Sequence, residues 1–161
     1  MPELQKADDF ELIFSAILVV ANRMDTLLER LLRDNEVTAK QWFLMNALNR
    51  WFHSPPTMKE LAREMGSSHQ NVKQVALKLQ DKGLLELVRD NMDGRIIRLR
   101  LTEKSHEFWA STAPAIAAFM REFYADIGEN DLGRMAASIA MMMENLNRIE
   151  RNGARNAAGD V

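Results

Sequence analysis

The sequence predicts a mostly α fold with one small β element, an α+β arrangement. Three observations carry this. Apolar residues recur at helical spacing through long stretches at both ends of the chain. Two short, capped helical segments meet around Gly66. The apolar period then switches to alternation across Arg95–Leu101. With 161 residues, 47% apolar and 27% charged, the chain is long enough and apolar enough for a packed core.

The first helix is expected from about Asp8 to Arg33. Phe10, Ile13, Phe14, Ile17, Leu18, Ala21, Met24, Leu27, Leu28, Leu31 and Leu32 fall at i, i+3, i+4 spacing. So wide an apolar face on so long a helix calls for a second chain or a bundle to cover it. Thr38 can cap a second helix, about Ala39 to Phe52, which Ser54-Pro55-Pro56 stops. Thr57 and Glu60 have capping-box spacing and open a short helix with Met58, Leu61, Ala62 and Met65 on one face. Gly66 can take the left-handed turn that ends it. Ser67 or Ser68 caps the next helix, Ser67 with Gln70 forming a second capping box. That helix runs to about Lys82, with Val72, Val75, Ala76 and Leu79 inward and Gly83 as terminator.

Leu84–Arg89 and Arg95–Leu101 read as paired strands. Ile97, Leu99 and Leu101 share one face, Arg98 and Arg100 the other. Between them Asp90-Asn91-Met92-Asp93-Gly94 is rich in turn formers, so a hairpin with an exposed tip is expected. Thr102 caps a third long helix, about Glu103 to Asp126, with a kink expected near Ser111–Pro114. Gly128 breaks the chain. A last helix, about Asn130 to Ile149, carries Leu132, Met135, Ala136, Ile139, Met142, Met143, Leu146 and Ile149 in register, and a small polar tail follows.

Two helices joined through a glycine turn, followed by a two-stranded hairpin, describe a winged helix-turn-helix flanked by long N- and C-terminal dimerisation helices. The expected organisation is 1–37 and 103–151 for the helical dimerisation region, 38–102 for the winged DNA-binding module and 152–161 for a flexible tail. The charge distribution agrees with it: residues 57–104 carry a net +3, between flanks of −2 and −3.

A helix fits the DNA major groove, where the four base pairs present distinct donor and acceptor patterns. The second helix of the pair offers Ser68, His69, Gln70, Asn71, Lys73 and Gln74 outward. Its amides can pair bidentately with adenine, while Ser67 and Ser68 at the helix N-terminus can hold phosphate. The hairpin tip, Asp93-Gly94-Arg95, presents a long cation that a minor groove attracts, and Arg98 lies behind it on the same strand. Each feature has a plainer reading. Arg95 can be a solvated charge paired with Asp93, and His69 an ordinary surface residue.

These residues resemble the MarR (multiple antibiotic resistance regulator) family. Leu79-x3-Gly83-Leu84, then Asp93-Gly94-Arg95, then Leu101-Thr102-Glu103-Lys104 match its L-x3-G-L, D-x-R and L-T-x-K-G motifs in order and spacing. The likeness covers about residues 8–149, with Ser105 standing where the family usually has Gly. It implies an obligate homodimer on a pseudo-palindromic operator in double-stranded DNA. It also implies a crevice that takes small aromatic or phenolic anions. Trp42, Met45, Trp51, Phe52, Phe108 and Trp109 are the candidates to line such a pocket; more often such residues are simply core.

Other classes find less in the sequence. The absence of Cys removes disulfides and thiolate metal sites, and His53 and His106 stand alone, so no metal and no cofactor is expected. No nucleophile–base pair, glycine-rich phosphate loop or carboxylate dyad appears, which argues against an enzyme. No apolar run reaches membrane-spanning length, and Glu3, Asp8, Asp9 and Glu11 are the wrong flank for a signal peptide. The expectation is a soluble, cytoplasmic, dimeric transcriptional regulator, a repressor. Its rivals are a winged module used only for protein contact, or a small-molecule-binding helical dimer.

Overall fold

A computed structural model describes residues 6–159. In chain order it contains α1 (Lys6–Leu32), a single 3-10 turn (Arg33–Asn35), α2 (Ala39–Trp51), α3 (Met58–Glu64), α4 (His69–Asp81), β1 (Leu85–Arg89), β2 (Ile97–Leu101), α5 (Glu103–Phe123) and α6 (Glu129–Gly159). The chain divides into two compact units, Met1–Ala117 and Ala118–Val161. The acidic N-terminal flank at Glu3 and the last two positions of the expected tail lie outside the described residues.

In the first unit, α4 packs on α2, α3 and β1, and β2 packs on α2 and α3. The core is the aliphatic set those contacts enclose: Leu44 and Met45 from α2, Leu61 from α3, Val72, Ala76 and Leu79 from α4, and Leu85 and Leu99 from the strands, each at most 2% exposed. Burial of a Leu or Val side chain stabilises by roughly 1.5–3 kcal/mol, so this cluster holds the short helices that could not stand alone.

Local chemistry sets the element ends. Thr38 and Gln41 form a reciprocal capping box at α2, Gln41 N donating to Thr38 Oγ1 (3.2 Å) and Thr38 N to Gln41 Oε1 (3.1 Å). Thr57 and Glu60 do the same at α3, over 3.2 and 2.7 Å. At α4 the expected box between Ser67 and Gln70 does not form. Ser68 is the N-cap, its hydroxyl accepting from Asn71 N at 3.2 Å, and Ser67 Oγ accepts from Asn71 Nδ2 at 2.9 Å. The helix begins one residue later than Ser67 would require, because Gly66 at φ 57° and Ser67 are both used in leaving α3. Gly83 at φ 71° ends α4 in the left-handed region, as its type allows.

β1 and β2 pair antiparallel with Leu85 opposite Leu101, Leu87 opposite Leu99 and Arg89 opposite Ile97. Thr57 makes an isolated bridge to Arg98, and Leu99 N donates to Pro56 O at 2.9 Å. The segment before α3 therefore fastens β2 at Arg98 and Leu99, toward the turn end of the hairpin. Thr102 caps α5 by accepting from Ser105 N, and its hydroxyl donates to Gly83 O at 2.7 Å. Ser105 is fully buried, with its hydroxyl satisfied by Thr102 O at 2.6 Å. α5 continues through Pro114, whose missing N–H costs one helical bond without ending the helix.

In the second unit, α5 ends at Phe123, short of the expected Asp126, and Asp126 itself takes the left-handed turn (φ 66°). α6 runs to Gly159, beyond the expected Ile149. The apolar register stops at Ile149, and the helix continues past it. Among the described residues no helix is long and apolar enough to cross a membrane.

Candidate nucleic-acid interface

α4 is amphipathic in the sense a groove-reading helix requires. Val72, Ala76 and Leu79 are buried on one side; His69, Gln70, Asn71, Lys73 and Gln74 are exposed on the other. The core contacts fix the inward face, so the outward face is set by rotation alone. Ser68 spends its hydroxyl on the cap, and Asn71 has one amide hydrogen committed to Ser67. Gln70, Lys73 and Gln74 form no side-chain hydrogen bond among the described residues, and their donors and acceptors face solvent.

The hairpin tip is ordered by carboxylates. Asp90 Oδ1 accepts from Met92 N (2.8 Å) and Asp93 N (3.1 Å), which closes the turn. Asp93 Oδ1 accepts from Arg95 N and Arg95 Nε, both at 3.0 Å, and its Oδ2 from Arg95 Nη2 at 3.1 Å. That guanidinium holds the Asp93 carboxyl below its ordinary value. The Arg95 side chain is nevertheless 92% exposed. Its pairing with Asp93 and its availability to an anion therefore coexist: the carboxylate aims the cation outward, and Gly94 adds no side chain to shield it.

Arg98 differs. Its side chain is 30% exposed, its Nε is paired with Asp90 Oδ2, and its Nη1 donates to Pro55 O at 2.9 Å and lies 4.0 Å from Glu60 Oε2. The sequence placed Arg98 among the DNA contacts; in the structure its Nε and Nη1 have protein acceptors. Asp90, which the sequence offered only as a turn former, is the partner it missed. The legible signal was an Asp opening the turn opposite an Arg-bearing strand.

The expected pocket residues divide. Trp42, Phe108 and Trp109 come together, with Trp42 and Trp109 ring centroids 5.8 Å apart and Phe108 and Trp109 at 5.5 Å. Met45 is fully buried in the core. Trp51 is exposed and packs edge-on against Phe43 at 5.6 Å, and Phe52 beside it is half-buried. Phe108 also lines a cleft of about 500 Å³ with Val37, Lys82, Leu84, Lys104 and Ser111.

Comparison with known proteins places this geometry. The MarR family model matches residues 36–96. The transcriptional repressor MprA of Escherichia coli (strain K12) is 26% identical over 94 residues, covering 58% of this chain and 53% of MprA, so the match spans about half of that relative's length. The transcriptional activatory protein BadR of Rhodopseudomonas palustris is 24% identical over 148 residues, 91% of this chain and 85% of BadR. A solved MarR family transcriptional regulator from Silicibacter pomeroyi superposes with a TM-score of 0.77 at 16% identity, covering 90% of this chain and 96% of that one. Residues 36–96 thus match the MarR family model, and the chain shares the fold of a solved MarR family regulator.

Proposed function

We propose that the protein is a homodimeric transcriptional regulator that binds a pseudo-palindromic operator, acts as a repressor by occupying it, and is released by a small aromatic or phenolic anion. The observation that carries the DNA reading is the pairing of an uncommitted amide and lysine face on α4 with a solvent-projecting Arg95 at the hairpin tip, on one winged module. In this reading Gln70, Asn71 and Gln74 read base edges from the major groove. Ser67, Ser68, His69 and Lys73 hold phosphate, and Arg95, aimed by Asp93 across Gly94, enters the minor groove.

The homodimer reading is supported by uncovered apolar surface within each unit. On α1, Phe10, Leu12, Phe14, Leu18 and Val19 are each at least half exposed; on α6, Met141, Leu146 and Ile149 are more than half exposed. Surface of that extent and composition needs a partner, and a second copy supplies a matching one. In such a dimer 1–37 and 103–151 form the shared body and 38–102 the projecting module.

The effector reading rests on the Trp42 and Trp109 indole N–H groups. Both are buried with no acceptor among the described residues. A buried donor without a partner costs about 1–3 kcal/mol, which a carboxylate or phenolate would recover. Such a ligand acts by favouring a dimer geometry that misfits the operator.

Selection of bound duplexes from a random DNA pool tests the main reading. Recovery of an inverted repeat whose binding weakens steeply with salt is expected, and Arg95→Ala should weaken binding to every recovered sequence while lowering the salt slope by about one. Failure to enrich any sequence, with no salt-dependent binding to the unselected pool, contradicts it. A panel of aromatic carboxylates and phenols, scored by thermal shift and by operator release, tests the effector; compounds that bind without releasing DNA contradict that part.

A further inference from the structure

We propose that Arg98 is a positioning residue, locked with Asp90 into a brace that sets the angle of the hairpin tip, and that it does not itself bind DNA. The inference deepens the DNA-binding reading above and rests on it.

A two-stranded ribbon is marginal on its own and its tip samples many orientations. Here a continuous set of polar contacts runs from the body of the module to the tip. Pro55 O accepts from Arg98 Nη1 at 2.9 Å. Arg98 Nε is paired with Asp90 Oδ2. Asp90 Oδ1 accepts the amides of Met92 and Asp93. Asp93 then holds Arg95 through its amide, Nε and Nη2. The backbone at Arg98 is fixed as well, by its bridge to Thr57 and by the Leu99 amide on Pro56 O. Pro55 precedes the capping box of α3, and α3 packs on α4. The tip is thereby referenced to the helix pair whose second member carries the reading face.

The chemistry of Arg98 agrees with a brace. Its side chain is 30% exposed and that of Asp90 14%, against 92% for Arg95. A phosphate reaching Arg98 would compete with an adjacent carboxylate, a carbonyl and Glu60 at 4.0 Å. Hydrogen bonds from Arg98 and from the turn amides hold the Asp90 carboxyl down at about 2, so the pair stays ionised across the range in which proteins work. A braced tip meets DNA already ordered; an unbraced one must be ordered on binding, which weakens affinity without removing a phosphate contact.

Direct contact and bracing differ in sign. If Arg98 bound phosphate, Asp90→Asn would release its guanidinium and tighten binding. If Arg98 is a brace, Asp90→Asn loosens the tip and weakens binding. The test uses the full chain, mixed-sequence duplex DNA long enough for two half-sites, and the variants Arg98→Gln, Asp90→Asn, their double and Arg95→Ala. Expected are losses of about 2- to 10-fold for each of the first two, a double variant no weaker than the worse single, and salt slopes equal to wild type. Only Arg95→Ala should lower the slope, by about one. In the protein without DNA, amide exchange at Met92 and Asp93 should speed several-fold in Arg98→Gln, while exchange in the core of α4 stays unchanged. Tighter binding by Asp90→Asn, a slope lowered by Arg98→Gln, or unchanged exchange at the tip each overturns the proposal. Should wild type bind no duplex at all, the functional reading fails by itself, and the exchange rates still decide whether the brace exists.

Discussion

Gln70 and Asp90 show how differently single residues serve this module. Gln70 lies in the first turn of α4, exposed and uncommitted. Gln70→Ala should leave stability unchanged and cost about 1–3 kcal/mol at one base position, relaxing preference there while other positions keep theirs. Selection repeated with the variant checks this, and an unaltered consensus would remove Gln70 from the reading set. Asp90 is held at about 2, well below the ordinary 3.8, by Arg98 first and the Met92 and Asp93 amides next. Its folded value is depressed, so its contribution to stability is complete above the unfolded value and fades as pH falls toward about 2. The stability gap between wild type and Asp90→Asn should therefore be constant near neutrality and close between about pH 4 and 2. Thermal melts across that range measure it; a gap that persists at the acid end would detach the stabilisation from ionised Asp90.

At the scale of the element, caps decide where the short helices stand. α3 spans only Met58–Glu64 and cannot persist on propensity. Its reciprocal Thr57–Glu60 box supplies the start, and the Thr57 amide and hydroxyl hold the Glu60 carboxyl below its usual range. Thr57→Ala should cost about 1 kcal/mol, read as a lower denaturation midpoint with an unchanged slope; no loss would mean the core alone fixes α3. That box was legible in the sequence, as were the alternation of β2 and the glycine ends at Gly66 and Gly83, because each depends on residues a few positions apart. The box at Ser67–Gln70 failed because two serines compete for one cap, and tertiary packing of α3 against α4 decides between them. The Thr38–Gln41 box has the same local spacing and was equally open to reading, and Asp90 opposite the Arg-bearing strand was a partial signal for the Arg98 pair. The division of the aromatic residues was not legible, because it depends on chain segments brought together by folding.

At the scale of the whole molecule, the sequence already posed the question of what covers its terminal helices, since their apolar residues outnumber what a small winged module can bury. Phe14 is 65% exposed on α1. In a dimer built on that surface, Phe14→Glu should shift the protein toward monomer at micromolar concentration and abolish operator binding, while the winged module keeps its fold by amide exchange. Sedimentation of wild type and variant checks it, and a variant with wild-type mass would place the interface elsewhere. Two modules held on one body should seat two α4 helices in successive major grooves on one side of the duplex, about 34 Å apart. Hydroxyl-radical footprinting of a selected duplex reads that geometry most directly. Two symmetric protections separated by about one helical turn, flanked by minor-groove protection that disappears in Arg95→Ala, are predicted. A single asymmetric footprint, or one unchanged by Arg95→Ala, would contradict it.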